Sequence, residues 1–215
     1  MTAAQLLTSD IPLLLPIDTV KSALDMMDEY KLAHLPVVVE DIFKGLLSEE
    51  DLLESDDSAV LAEVKSTYLS VDPNLHIYEI VALMASAEVD LLPVVHRGIY
   101  QGSIDRSAVL SFLSRVAGWG AEGSTIVLET SVSKFSLVEI SHLVEQNGAQ
   151  ISSFNASYED SGDMLVTIKL NTVDIAVILE TFKRFDYKVV TFFDAPEVED
   201  EIRNKFDQFM RYLEQ

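Results

Sequence analysis

The residues of this chain best suited to chemistry are Gly45, Ser48 and Asp51, in the stretch Gly45-Leu46-Leu47-Ser48-Glu49-Glu50-Asp51. A glycine lets the backbone come close to a ligand. A serine at a helix start, with the free N–H groups around it, can receive a phosphate or another anionic group. A carboxylate one turn further on can accept both hydroxyls of a ribose. The same letters have a plainer reading. Ser-x-x-Asp ahead of Leu52-Leu53 also spells a helix cap, worth about 1 kcal/mol and complete without any ligand.

Other suggestive spacings fall away on context. Gly118-Trp119-Gly120-Ala121-Glu122-Gly123 has the letters of a dinucleotide fingerprint, but it follows a helical pattern and precedes a strand, the reverse of what that fingerprint needs. Glu139-x-x-His142 is half of a di-iron spacing with no second copy in the chain. Ser131-x-x-Lys134 has the spacing of a Ser–Lys dyad, at a strand–helix turn where polar residues are ordinary. His34, His76 and His96 form no metal-ligand spacing, and the absence of cysteine excludes disulfides, thiolate nucleophiles and thiolate-ligated metals. No constellation supports an enzyme.

The elements that must position Gly45–Asp51 come from an internal repeat. Sliding the chain by 57 positions places Pro16 on Pro73, Met27 on Met84, Leu35-Pro36-Val37-Val38 on Leu92-Pro93-Val94-Val95, and Gly45 on Gly102, without a gap over about forty positions. In the first copy Leu13–Leu15 is expected as a short strand. A helix capped by Asp18 or Thr19 should then run from Val20 to Tyr30, with strands at Leu35–Val39 and Ile42–Leu47 around a Glu40-Asp41 turn. Ser48 opens the closing helix. The second copy predicts strands at Tyr68–Val71, Leu92–Val95 and Ile99–Ile104, and helices at Ile77–Ala87 and Arg106–Val116. The unit is β-α-β-β-α. One copy is too small to close a core, so two should pack together.

On the strand Leu35-Pro36-Val37-Val38, the hairpin, and Gly-hydrophobic-x-Ser-x-x-Asp at Gly45–Asp51, residues 5–116 resemble a tandem of CBS (cystathionine-β-synthase) domains. These are regulatory modules with ligand clefts between repeats. The resemblance implies that Ser48 and Asp51 hold the ribose-phosphate part of an adenosyl ligand, and the ligand-binding candidates are Gly45, Ser48 and Asp51 with His34, Pro36 and Val37. In the second copy Ser48 becomes Asp105 and Asp51 becomes Ala108. Asp105 still caps a helix, but it repels phosphate, and Ala108 cannot bind ribose, so adenosyl binding is expected only in the first copy. Glu49, Glu50, Glu40 and Asp41 crowd that site. Lys44, His96, Arg97 and Arg106 are the few cations that could offset a triphosphate. This favours AMP or an uncharged or cationic compound such as S-adenosylmethionine, with ATP requiring a divalent metal.

After a glycine-rich linker at 118–123 the pattern changes to βαββαβ. Strands are expected at Ile126–Thr130, Ile151–Tyr158, Leu165–Leu170 and Lys188–Phe193, with helices at Leu137–Gln146 and Val173–Phe185. That ferredoxin-like order is similar to ACT domains, which often bind amino acids and often pair into one long sheet. The ligand loop of that family, Asp-x-Pro-Gly, reads Ser131-Val132-Ser133-Lys134-Phe135-Ser136 here, with neither proline nor glycine. Pairing is the better expectation than amino-acid binding. From Pro196 a last helix carries Val198, Ile202, Phe206, Phe209 and Leu213 on one stripe, for packing within the domain or between subunits.

The fold class is α/β (α+β): CBS repeats at 1–60 and 61–117, a linker at 118–123, an ACT-like domain at 124–194 and a helix at 195–215. The net charge of −21 is spread evenly, about −12 over residues 1–120 and about −9 over residues 121–215, which disfavours nucleic acid and anionic membrane as partners. No apolar run approaches the roughly 18 residues of a membrane span, and the N-terminus has no signal-peptide pattern. These features give the expectation of a cytoplasmic protein, and the two resemblances imply a non-enzymatic, homodimeric sensor of an adenosyl compound acting on a partner protein. The alternative is a structural interaction module whose CBS pair is vestigial.

Overall fold

The computed structural model describes residues 1–8, 10–159 and 162–193, so the amphipathic stretch from Pro196 lies outside the described residues. The chain divides into two compact units, Met1–Leu113 and the part from Ser114 onward.

In the first unit the repeat is written into the backbone hydrogen bonds. β1 (His34–Val39) and β2 (Ile42–Ser48) form one antiparallel hairpin, and β3 (Leu91–His96) and β4 (Ile99–Asp105) form the other. Each turn has two residues at positive φ, Glu40 and Asp41 in the first, Arg97 and Gly98 in the second, the backbone twist a two-residue hairpin turn requires. Each hairpin shifts register at the same place, after Val37 and after Val94. The hairpins join in the order β1-β2-β4-β3, where Phe43 N–H donates to Gly98 O and Tyr100 N–H to Asp41 O.

Helices α1 (Val20–Tyr30) and α3 (Ile77–Ser86) start under caps from Thr19 and His76. Asp18 instead accepts the Leu15 N–H at 2.7 Å. After the hairpins, α2 (Glu49–Leu53) stops at five residues whereas α4 (Arg106–Val116) runs for eleven. The early stop has a local cause. Asp56 accepts both the N–H and the hydroxyl of Ser58, and such side-chain bonds offer the backbone an alternative to helix. The strands expected at Leu13–Leu15 and Tyr68–Val71 do not form. Each segment makes a single parallel bridge, Leu14 to Val37 and Val71 to Val94. Pro16 and Pro73 follow two residues later and supply no N–H to extend the ladder.

Each repeat finishes the other's core. One core gathers Ile77, Ile80, Met84, Leu91, Leu92 and Ile104, and is closed by Ala3 and Leu6 from the chain's first residues. The other gathers Val20, Ala23, Met27, Leu35, Leu47 and Leu52, and is closed by Leu61. Short 3-10 turns at Ala3–Gln5 and Leu61–Glu63 hold these segments. They are anchored by Ala3 N–H to Leu75 O and Ala4 N–H to Pro73 O, and in parallel by Leu61 N–H to Asp18 O and Ala62 N–H to Pro16 O. Residue 60/61 is therefore a boundary in sequence but not in packing.

The second unit is a four-stranded antiparallel sheet in the order β6-β7-β5-β8. Its strands are β5 (Thr125–Ser131), β6 (Ile151–Tyr158), β7 (Asp163–Leu170) and β8 (Lys188–Phe193). Helices α5 (Leu137–Glu145) and α6 (Ala176–Arg184) share one core with it, built on Ile126, Leu128, Ile140, Val166, Ile168 and Phe182. α6 starts at Ala176, not at Val173, because Thr172 Oγ1 takes the Asp174 N–H and turns the chain first. Gly123 ends the linker against β7, where a Cβ would lie 1.9 Å from Leu170 O at a φ of +127°.

The glycine of the starting motif has a structural task. Gly45 is buried under the segment that runs through Ser66 and Thr67, which is held by Leu46 N–H to Thr67 O at 2.8 Å and Thr67 N–H to Leu46 O at 2.9 Å. A Cβ at position 45 would lie 2.5 Å from Ser66 Oγ and 2.8 Å from Ser66 Cβ. Gly45→Ala is expected to destabilise the protein by about 1–3 kcal/mol, read as a lower urea midpoint, and Ser66→Gly in the same chain should recover part of the loss. An unchanged midpoint for Gly45→Ala would show that the segment yields freely.

Candidate functional site

The end of β2 delivers Ser48 in extended conformation to the start of α2. Its hydroxyl oxygen accepts the Asp51 N–H at 3.1 Å and its proton goes to Asp51 Oδ2 at 2.5 Å. The serine half of the cap foreseen in Ser-x-x-Asp is thus made, while the Asp51 carboxylate takes up the Ser48 hydroxyl. The same two side chains, with His34 from the start of β1, line a cavity of about 470 Å3. Leu46, Leu69 and Val89 give it apolar wall, and Glu49, Glu50 and Glu88 make it acidic. No lysine or arginine lines it, so Lys44, Arg97 and Arg106 do not supply the compensation expected of them.

The other three candidates lie elsewhere. Val37 belongs to the first repeat's core and Pro36 is buried beside it in β1. The close approach that Gly45 permits is to Ser66, within the chain itself. None of the three lines the cavity.

The residue missed by sequence reasoning is Asp90. Its Oδ1 lies 2.7 Å from His34 Nδ1 and its Oδ2 accepts the Ala33 N–H at 2.6 Å. The two side chains are only 16% and 13% exposed. Burial pushes the Asp90 carboxyl up, but the hydrogen bonds from His34 and Ala33 and the neighbouring imidazole outweigh it and hold the group below the ordinary carboxylate range. The 57-residue alignment contained the signal. Asp90 falls on Ala33, so one repeat places a carboxylate ahead of its strand where the other has a methyl, and the carboxylate crosses to the partner repeat.

The second repeat's counterpart is occupied by its own chain. Asp105 Oδ1 caps α4 by accepting the Ala108 N–H at 2.7 Å and also faces the Thr8 hydroxyl at 3.4 Å, while Oδ2 accepts the Ser107 hydroxyl at 3.0 Å. The remaining motifs resolve into structure. Glu139 accepts the Tyr187 hydroxyl at 2.6 Å, which with burial raises the pKa of that phenol well above its usual value, burial being the larger cause. Lys134 pairs with Asp186 at 3.3 Å and Ser131 with Ser133 at 3.1 Å, so no dyad forms. Among the described residues no group of three or more His, Asp or Glu side chains is arranged to hold a metal ion, and no helix is long and apolar enough to cross a membrane.

Two copies of a hairpin-and-helix unit thus form a paired module, followed by a second α/β unit. A family model for the CBS domain matches residues 3–57, so the chain contains a CBS domain there. It is similar to the CBS domain-containing protein YhcV of Bacillus subtilis, 27% identical over 105 residues, 46% of this chain and 75% of that one. Among solved structures it is similar to a CBS domain pair/ACT domain protein from Thermotoga maritima, at 26% identity, a TM-score of 0.47, and coverage of 54% of this chain and 98% of that one. It is also similar to CBSX2, solved in complex with AMP, at 22% identity, a TM-score of 0.48, and coverage of 54% of this chain and 97% of that one.

The geometry separates two substitutions that look alike on paper. Ser48→Ala removes the acceptor of the cap and should cost about 1 kcal/mol in urea unfolding without ligand. Asp51→Ala keeps the capped N–H and should cost clearly less. A larger loss for Asp51→Ala would mean that the carboxylate, not the cap, holds α2. Asp90 adds an acid dependence. Its folded-state pKa is depressed, so its stabilisation is present above the unfolded value of about 4 and is lost as pH falls through the folded one. Asp90→Asn should flatten the fall of stability below about pH 4, and a variant with the parent's acid slope would contradict the assignment.

Proposed function

We propose that the chain is a regulatory protein, not an enzyme, that binds one adenosyl compound at the cleft of its first repeat and acts through a homodimer on a partner protein. One observation carries this reading: Ser48, Asp51 and His34 meet in one cavity, inside or at the edge of the segment matched by the CBS model. Ser48 occupies one carboxylate oxygen of Asp51, and the other is available to ribose hydroxyls. Leu46, Leu69 and Val89 offer an apolar bed for a purine. The acidic lining supports an uncharged or cationic compound, such as S-adenosylmethionine, over AMP and over metal-free ATP; a divalent metal would relieve the clash with a triphosphate. Because Ala87, Glu88 and Val89 come from the second repeat, an occupant touches both repeats and can favour one packing of the pair over another.

The second unit is read as an ACT-like domain. Its support is the strand order β6-β7-β5-β8 with two crossover helices, the ferredoxin-like arrangement. Side-by-side pairing of such sheets is its proposed task in the dimer. The competing reading, an interaction module with no ligand, draws on the completeness of the Ser48 cap without an occupant.

A melting-temperature titration tests the proposal. S-adenosylmethionine at about 100 times its dissociation constant should stabilise the parent by about 2.7 kcal/mol, seen as a rise in Tm, and Asp51→Ala should lose most of that rise. No shift with S-adenosylmethionine, AMP or magnesium-ATP would leave the interaction-module reading. An equal shift in parent and Asp51→Ala would move the site elsewhere.

A further inference from the structure

The two repeats supply an internal comparison at the mouth of the cleft. Lys31 follows α1 and Glu88 follows α3, 57 positions apart. Both residues have a left-handed backbone, φ 56° for Lys31 and 54° for Glu88. The main chain is the same at the two places, and the side chain changes from an ammonium to a carboxylate.

Glu88 lines the cavity from the wall that the second repeat provides. Asp51, Glu49 and Glu50 reach the cavity from the first repeat, at the start of α2. Glu88 is the acid that the second repeat brings to it, and among the described residues it has no ion pair. It also borders the neighbouring cavity that Arg106 lines.

We propose that Glu88 sets the ligand charge accepted at the first cleft, favouring a cationic adenosyl compound over an anionic adenylate. The inference rests on the adenosyl reading of that cleft and names the residue that selects within it. Glu88→Lys changes the local charge by two units and should reverse the preference. Lys31 demonstrates that lysine fits this backbone conformation. Lys31 is drawn to Asp28 at 2.8 Å, whereas the matching position before Glu88 is Ala85, so the introduced ammonium would have no such neighbour to divert it. Glu88 is exposed, and its influence should therefore be screened by salt.

The experiment is calorimetry on the full chain with S-adenosylmethionine and with AMP, free of divalent metal, at about 0.05 M and about 0.5 M salt. The parent should bind S-adenosylmethionine more tightly than AMP. Glu88→Lys should move the ratio of the two dissociation constants towards AMP by about tenfold or more at low salt, with Glu88→Gln in between and the shift shrinking at high salt. Glu88→Gln keeps the shape of the side chain and gives a readout independent of how the lysine variant folds. If both variants keep the parent's ratio, Glu88 is not the selector while the cleft still binds. If the parent binds neither compound and Asp51→Ala matches it, the adenosyl reading fails and this assignment fails with it.

Discussion

Neither half of the first unit can close its own core. The helix and hairpin of each repeat leave one side of their apolar face bare, and the missing cover arrives from the other repeat, Ala3 and Leu6 in one direction and Leu61 in the other. The remaining features of the unit follow from that exchange. It fixes Ser66 and Thr67 across β2, which makes Gly45 necessary. It brings the residues ahead of β3 near the start of β1, at the other edge of the hydrogen-bonded order, so that Asp90 can reach Ala33 and His34. It also means that the walls of the cleft come from both copies.

The two copies are alike in backbone and unlike in charge. Leu14 N–H bonds Pro36 O and Val71 N–H bonds Pro93 O; Glu49 N–H bonds Ala33 O and Arg106 N–H bonds Asp90 O. Upon that common frame the side chains diverge at positions that line the cavity: Ser48 against Asp105, Asp51 against Ala108, Glu88 against Lys31, Ala33 against Asp90, the first of each pair being the lining residue. Substitution within a duplicated frame is a direct way to separate what the fold needs from what a site needs. Both Ser48 and Asp105 cap a helix, so capping is the shared requirement.

Most of the secondary structure was legible in the chain. The two prolines, the paired turns and the period of the apolar residues located α1, α4 and β8 to the residue, because these elements are set by local patterns. Leu13–Leu15 and Tyr68–Val71 were misread as strands because apolar runs show burial, not ladder length; each segment has one pairing residue. The lining of the candidate cavity was half legible. Ser48 and Asp51 are a local motif and can be read from spacing. Asp90 acts on residues 56 and 57 positions away, and no local rule reports such a partner. Gly45, Pro36 and Val37 do not line the cavity; packing against one's own backbone and packing against a ligand demand the same small or flat residue types, so their spacing does not tell the two apart.

Asp105 gives the second copy an anion of its own. With its oxygens taken up by the Ala108 N–H and by the hydroxyls of Thr8 and Ser107, that helix start holds a carboxylate that cannot diffuse away, and the position is permanently filled. The matching helix start of the first copy carries a neutral hydroxyl at that place, with Asp51 one turn further on and a cavity in front of both.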